Sequence, residues 1–62
     1  MRITIKSYLV EISTNLESMF TYLRDFGFKY YVHPFDKWYY EIEVMCNEED
    51  IADLESIMQW YV

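Results

Sequence analysis

The sequence predicts a two-layer α+β sandwich with the element order β-α-β-β-α, and three observations lead there. The N-terminal segment alternates in polarity, two later segments repeat apolar residues at helical spacing, and the first of these is followed by an aromatic, β-prone run interrupted by Pro34-Phe35-Asp36-Lys37.

Residues 2–12, RITIKSYLVEI, form the first expected strand, β1. Ile3 and Ile5 fall on one face, and Arg2, Thr4 and Lys6 on the other. The apolar positions then shift to Tyr8, Val10 and Ile12, which predicts a bulge or bend near Ser7, or burial of both faces toward the strand's end.

The next segment reads as helix α1, about residues 15–26. Thr14 and Glu17 have the spacing of a capping box, and Ser13 offers a competing N-cap. Leu16, Met19, Phe20 and Leu23 recur at amphipathic spacing, with Phe26 continuing the stripe. Gly27, the single glycine, falls where a helix commonly ends in a left-handed residue, and Phe28 can pack back onto the last turn.

From Lys29 the run KYYVHPFDKWYYEIEV reads as a hairpin, β2 then β3, on either side of the Pro-Asp turn. Its register is open. A two-residue loop pairs Phe35 with Trp38, whereas a three-residue loop pairs Pro34 with Trp38 and Val32 with Tyr40, and these present opposite faces of β2 to the core. In β3, Trp38, Tyr40, Ile42 and Val44 form the better core face, leaving Tyr39, Glu41, Glu43 and Met45 on the other.

Asn47 is a favourable N-cap for α2, and Glu48, Glu49 and Asp50 suit the positive end of the helix dipole. The helix is expected to run to about residue 60. Ile51, Leu54, Ile57, Met58 and Tyr61 share one broad arc, and Trp60 projects from the opposite arc with Glu49, Asp53 and Ser56.

A right-handed crossover through α1 followed by a tight hairpin gives a three-stranded antiparallel or mixed sheet in the order 1-3-2, with both helices on one face. This order resembles a ferredoxin-like split β-α-β fold that stops before its last strand, a resemblance of topology that covers the whole expected element order. The resemblance implies an unprotected β1 edge. With one sheet face uncovered as well, it leads us to expect a homodimer.

Residues 1–62 are expected to form one domain, and a fold of that size buries only about 60% of the surface its unfolded chain exposes. The single cysteine, Cys46, excludes an intramolecular disulfide and reads as a small buried hydrophobe at a strand end. The 13 aromatic side chains are expected to enlarge the core, with the surplus favouring association. No stretch approaches the roughly 18 apolar residues of a membrane span, and the N-terminal residues lack a signal peptide's pattern, so we expect a cytoplasmic protein with no membrane partner.

Eleven acidic residues against five basic ones give a net charge of −6, and seven of the acids lie between Glu41 and Glu55, with no Lys or Arg after Lys37. That distribution disfavours direct nucleic-acid binding and favours a basic protein surface as partner. Stacking of bases on the tyrosine-rich hairpin is a weaker reading, because only Lys29 and Lys37 lie nearby.

The residues do not assemble a catalytic or metal motif. His33 is the only histidine and reads as a strand-end residue. Glu41 and Glu43, about 6–7 Å apart on one strand face, read as a solvated pair. The acids of NEEDIADLE depart from the calcium-loop pattern and read as a helix start. No cofactor is expected.

In size, charge and absence of catalytic residues the chain is similar to the small acidic inhibitors that bacteriophages encode against host enzymes and defence systems, including those that imitate the negative surface of DNA. The similarity implies a non-enzymatic, protein-binding module that acts in the host cell cytoplasm on a basic host protein. Its expected contact residues are Tyr39, Glu41, Glu43, Glu49, Asp53 and Trp60, with the acids steering association and the rings anchoring it. The alternatives are a homodimeric regulatory or assembly subunit of a host complex, and a tyrosine-rich sheet that binds RNA or a small ligand.

Overall fold

Strand β1 spans Ile3–Glu11 in a computed structural model that describes residues 2–62. Helix α1 (Leu16–Asp25), β2 (Lys29–Pro34), β3 (Tyr39–Asn47) and α2 (Ile51–Met58) follow, with a 3-10 turn at Glu48–Asp50 leading into α2. The sheet has the order β1-β3-β2, and β3 pairs antiparallel to both neighbours. The expected α+β sandwich and strand order are therefore what the chain adopts.

The register of β1 is unbroken from Ile3↔Asn47 to Glu11↔Tyr39, so the expected bulge near Ser7 is absent. Even-numbered residues turn toward the helices: Thr4, Lys6 and Tyr8 are half-buried and Val10 is buried. Odd-numbered Ile3, Ile5, Ser7, Leu9 and Glu11 lie on the open face, all exposed. Lys6 can sit on the helix side because its Nζ lies 3.7 Å from Glu55 Oε1 on α2. A single parity thus holds throughout, and the apolar residues of the first half face away from the core.

Asn15, not Thr14, caps α1. Its Oδ1 accepts from the Ser18 backbone N–H at 3.1 Å, and the turn that precedes it is closed by Thr14 N–H donating to Glu11 O. At the other end Gly27 N–H donates to Arg24 O and Phe28 N–H to Leu23 O, the paired bonds of a Schellman motif, with Gly27 at φ 80°. Phe28 is buried, beside Leu23 in the core, whereas Phe26 is 57% exposed and stacks on Phe28 with centroids 6.3 Å apart. The end of the helix stripe therefore turns outward, because Phe26 has become the C-cap.

The hairpin adopts neither expected register. Pro34 pairs with Tyr40 and Val32 with Ile42, leaving a four-residue loop, Phe35–Trp38. Asp36 explains the extra length: its Oδ1 accepts from Trp38 N–H at 2.7 Å and Tyr39 N–H at 2.9 Å, holding a side-chain-capped turn. The parity matches that of the three-residue alternative, so Tyr30 faces the helices and Tyr31 the open side. Trp38 is drawn into the loop, 61% exposed with Lys37 Nζ 5.1 Å from its ring centroid, and does not join the core as expected.

Asn47 precedes the 3-10 turn in an extended conformation and makes no side-chain cap, so α2 proper begins four residues later and ends at Met58. Trp60 and Tyr61 occupy the turn that follows, their N–H groups bonded to Ile57 O and Met58 O.

The fully buried core is aliphatic, and the rings enlarge it from its border, where Tyr8, Phe20, Tyr30, Tyr40 and Tyr61 pack against it at partial depth. Met19, Leu23, Ile42, Leu54, Met58, Val10 and Val44 are the largest fully buried side chains, and Phe28 is the only buried ring among the described residues. Truncating one of these, such as Ile42, to alanine removes about 2–5 kcal/mol. The other rings surround the core at partial depth, as where Phe20 stacks on Tyr30 with centroids 4.9 Å apart, or project into solvent. The spaces between two short helices and a twisted three-stranded sheet admit unbranched and branched aliphatics more readily than planar rings.

Candidate functional site

The expected contact residues fall on two separate surfaces. Tyr39, Glu41 and Glu43 lie on the sheet face opposite the helices, and Asp53 and Trp60 line a groove between α1 and α2. Glu49 belongs to neither. It flanks a shallow hollow with Arg2, Asn47 and Glu48, where the Glu48 backbone N–H donates to Arg2 O.

On the open sheet face the registers place side chains in cross-strand rows. Leu9, Glu41 and His33 form one, Ser7, Glu43 and Tyr31 the next, and Ile5, Met45 and Lys29 a third. Glu41 and Glu43 are half-buried because strands flank them on both sides, while Ile3, Ile5, Leu9 and Tyr31 around them are exposed. His33 Nε2 lies 3.5 Å from Glu43 Oε1, diagonally across the strands. Lys6 faces the helix layer and pairs with Glu55, away from these glutamates. The face thus presents two carboxylates bordered by Ile3, Ile5, Leu9 and Tyr31 together with His33 and Lys29, and a dry neighbour can cover it only where each carboxylate keeps a cationic or hydrogen-bonding partner.

Beside this face runs the outer edge of β1. Its partner β3 lies on one side, and among the described residues no strand lies on the other. The open edge was expected; what the apparent frame shift at Ser7 hid is that Ile3, Ile5 and Leu9 share the open face beside it. An alternation counted through on odd positions alone would have shown this.

On the opposite side, the α1–α2 groove has a volume of about 420 Å³. Ile57, 8% exposed, lies deepest in it; Tyr22 of α1 and Phe26 at that helix's C-cap line it from one element, and the exposed Asp53, Ser56 and Trp60 line it from the other. Ser18 Oγ and Tyr61 Oη, 3.0 Å apart, join the two elements. The arc reasoning put Glu49, Asp53, Ser56 and Trp60 together; Asp53, Ser56 and Trp60 share the groove, Glu49 lies outside it, and Ile57 and Tyr61 of the other arc line it too. That reasoning missed Tyr22 and Phe26, whose part depends on how the helices pack.

The groups with nucleophilic chemistry lie elsewhere. Cys46 is a buried core residue at the end of β3, and burial pushes its thiol above the ordinary value, with Asp50 adding to the rise and Lys6 opposing it. Burial likewise raises the Tyr8 phenol, with smaller contributions from Glu55 and Cys46. Among the described residues no three His, Cys, Asp or Glu side chains converge on a metal-sized site, and no helix is long and apolar enough to cross a membrane. No family model matches the chain, and neither does any curated protein or solved structure.

Proposed function

We propose that the chain is a non-enzymatic protein-binding module that covers a basic surface of a host nucleic-acid-binding or defence protein, in the manner of a small phage-encoded inhibitor. The observation that carries this reading is the open sheet face, where Glu41 and Glu43 sit half-buried at the centre of exposed Ile3, Ile5, Leu9 and Tyr31. Apolar surface at the border offers desolvation energy, and the central carboxylates select a partner that brings Arg or Lys to meet them. The net charge of −6 adds long-range attraction to such a partner.

Capture from host lysate with the parent chain and with a Glu41→Lys/Glu43→Lys variant tests the reading. A basic protein retained by the parent and lost by the variant is the expected result. Its association rate should fall as salt rises. An identical set of captured proteins, or an association rate indifferent to both charge reversal and salt, overturns it.

A second reading, a homodimeric assembly subunit, is favoured by the free outer edge of β1 together with Ile3, Ile5 and Leu9 beside it. Light scattering across the micromolar range separates the two. A mass that doubles with concentration, and stays single in an Ile5→Lys variant, supports the dimer.

A further inference from the structure

We propose that the groove between α1 and α2 is a receptor for an arginine side chain of a partner protein. Three aromatic side chains, Tyr22, Phe26 and Trp60, form its walls over the apolar floor of Ile57. All three are more than half exposed, Trp60 reaching 79%. Stable domains rarely leave so many rings bare along one channel without a use for them. A volume of about 420 Å³ falls within the range of side-chain and small-ligand pockets.

The groove's charge identifies the occupant. Among the described residues Asp53 is the only acidic side chain lining it, and no Lys or Arg does. Aromatic faces carry negative quadrupole density and attract cations, so rings and carboxylate act in the same sense. An anion or a nucleic-acid phosphate would meet repulsion from both. Among cations, a planar guanidinium stacks on an open indole or phenol face while its edge donates two parallel hydrogen bonds to a carboxylate, which a compact ammonium cannot do. The open form of this groove, with ring walls and an exposed carboxylate, suits that plate-like group and its aliphatic stem.

Two features hold the receptor in shape before anything binds. Tyr22 and Phe26 stand one turn apart on α1, and Asp53 and Trp60 lie along the facing side of α2 and its terminal turn. The Ser18–Tyr61 hydroxyl contact, 3.0 Å long and partly buried, ties the end of α2's terminal turn to the first turn of α1. The Trp60 backbone N–H, bonded to Ile57 O, fixes the main chain of the turn that carries the indole.

The inference rests on the proposed function only for the source of the arginine, since a basic partner supplies one. The groove's chemistry stands apart from the sheet face. Titration of the ¹⁵N-labelled chain with the peptide acetyl-Gly-Arg-Gly-amide, followed by chemical shifts, reads it directly. The expected result is saturable movement of the Trp60 indole N–H and of the Asp53 and Ser56 amides, with lysine and neutral citrulline peptides binding more weakly. Trp60→Ala and Asp53→Asn should each lower the affinity by about threefold to fivefold, as for exposed cation–π contacts and ion pairs. Both residues are exposed, so unchanged amide shifts elsewhere will report an intact fold. Equal binding of the citrulline peptide, equal binding of the lysine peptide, or shifts unaltered by Trp60→Ala overturns the proposal. Because the capture assay depends on Glu41 and Glu43, failure of the groove leaves the sheet-face reading standing, and the reverse also holds.

Discussion

Replacing Tyr8 with phenylalanine should stabilise the protein. Tyr8 points from β1 toward the helix layer, opposite Ile42 in register, and its ring packs against the core. Its hydroxyl oxygen is shielded from solvent, and no hydrogen-bonding group among the described residues reaches it. A hydroxyl withdrawn from water without a partner costs about 1–3 kcal/mol. Tyr8→Phe removes that cost and keeps the ring, losing only the oxygen's dispersion contacts, so a net gain of about 1 kcal/mol is expected. In a domain this small the gain corresponds to a rise in Tm of about 4–8 °C.

Urea titrations at pH 7 and above pH 10 provide the assay. Burial, then Glu55, then Cys46 raise the phenol above its ordinary value of 10.0. Below that value the residue is neutral in both states and its favourable contribution is complete. As pH rises toward the folded value, the unfolded chain ionises first and that contribution is lost, at no more than about 1.4 kcal/mol per pH unit for one proton. Phenylalanine does not titrate, so the variant's advantage should widen above pH 10. A loss of about 1 kcal/mol or more at pH 7 would place a hydrogen-bond partner on the hydroxyl, and a gap that narrows above pH 10 would exclude the raised phenol.

Gly27→Ala should cost about 1 kcal/mol, because a Cβ at that position meets nothing within 4 Å and only the left-handed backbone is penalised; Gly27→Asn should cost less, and a loss well above this in urea would reveal packing at the site. Asn15→Ala should remove about 1 kcal/mol of thermal stability while Thr14→Ala changes it by less than about 0.5 kcal/mol, and the opposite ranking would return the cap to Thr14. Both tryptophans should emit at wavelengths close to those of the unfolded chain and be readily quenched by acrylamide, since Trp38 and Trp60 are exposed; a protected, blue-shifted indole would place one of them in the core.

Local chemistry was the legible part of this fold. Gly27 announced the end of α1, the Pro34-Asp36 pair announced a turn, and strand periodicity fixed Tyr39, Glu41 and Glu43 opposite Ile42 and Val44. What escaped depended on choices that several local signals permit equally. Residues 3–12 carry apolar side chains on both parities, and only pairing with β3 shows that Val10, rather than Ile3 or Ile5, faces the core. Asp36 accepts two backbone N–H groups and thereby lengthens the loop, which shifts Trp38 out of the strand. Three adjacent candidates, Ser13, Thr14 and Asn15, could each cap α1, and the turn from Glu11 to Thr14 decides among them. The contact surfaces followed the same rule. Asp53 and Trp60 do lie together, but Glu49 of the same arc lies apart, and the neighbours of Asp53 and Trp60 across the groove arise from helix packing, which no single segment encodes.

The sheet also has an order of opening written into it. Among the described residues β3 alone is hydrogen-bonded along both sides, whereas β2 is exposed at every residue except half-buried Tyr30, which rests on Phe20. Local opening therefore begins at β2, and the β1–β3 pair is the last to exchange its amide protons. The open face is therefore half rigid and half adjustable. On the proposed reading, Leu9 and Glu41 would meet a partner already in place, while Tyr31 and His33 would follow its contours at small cost in energy.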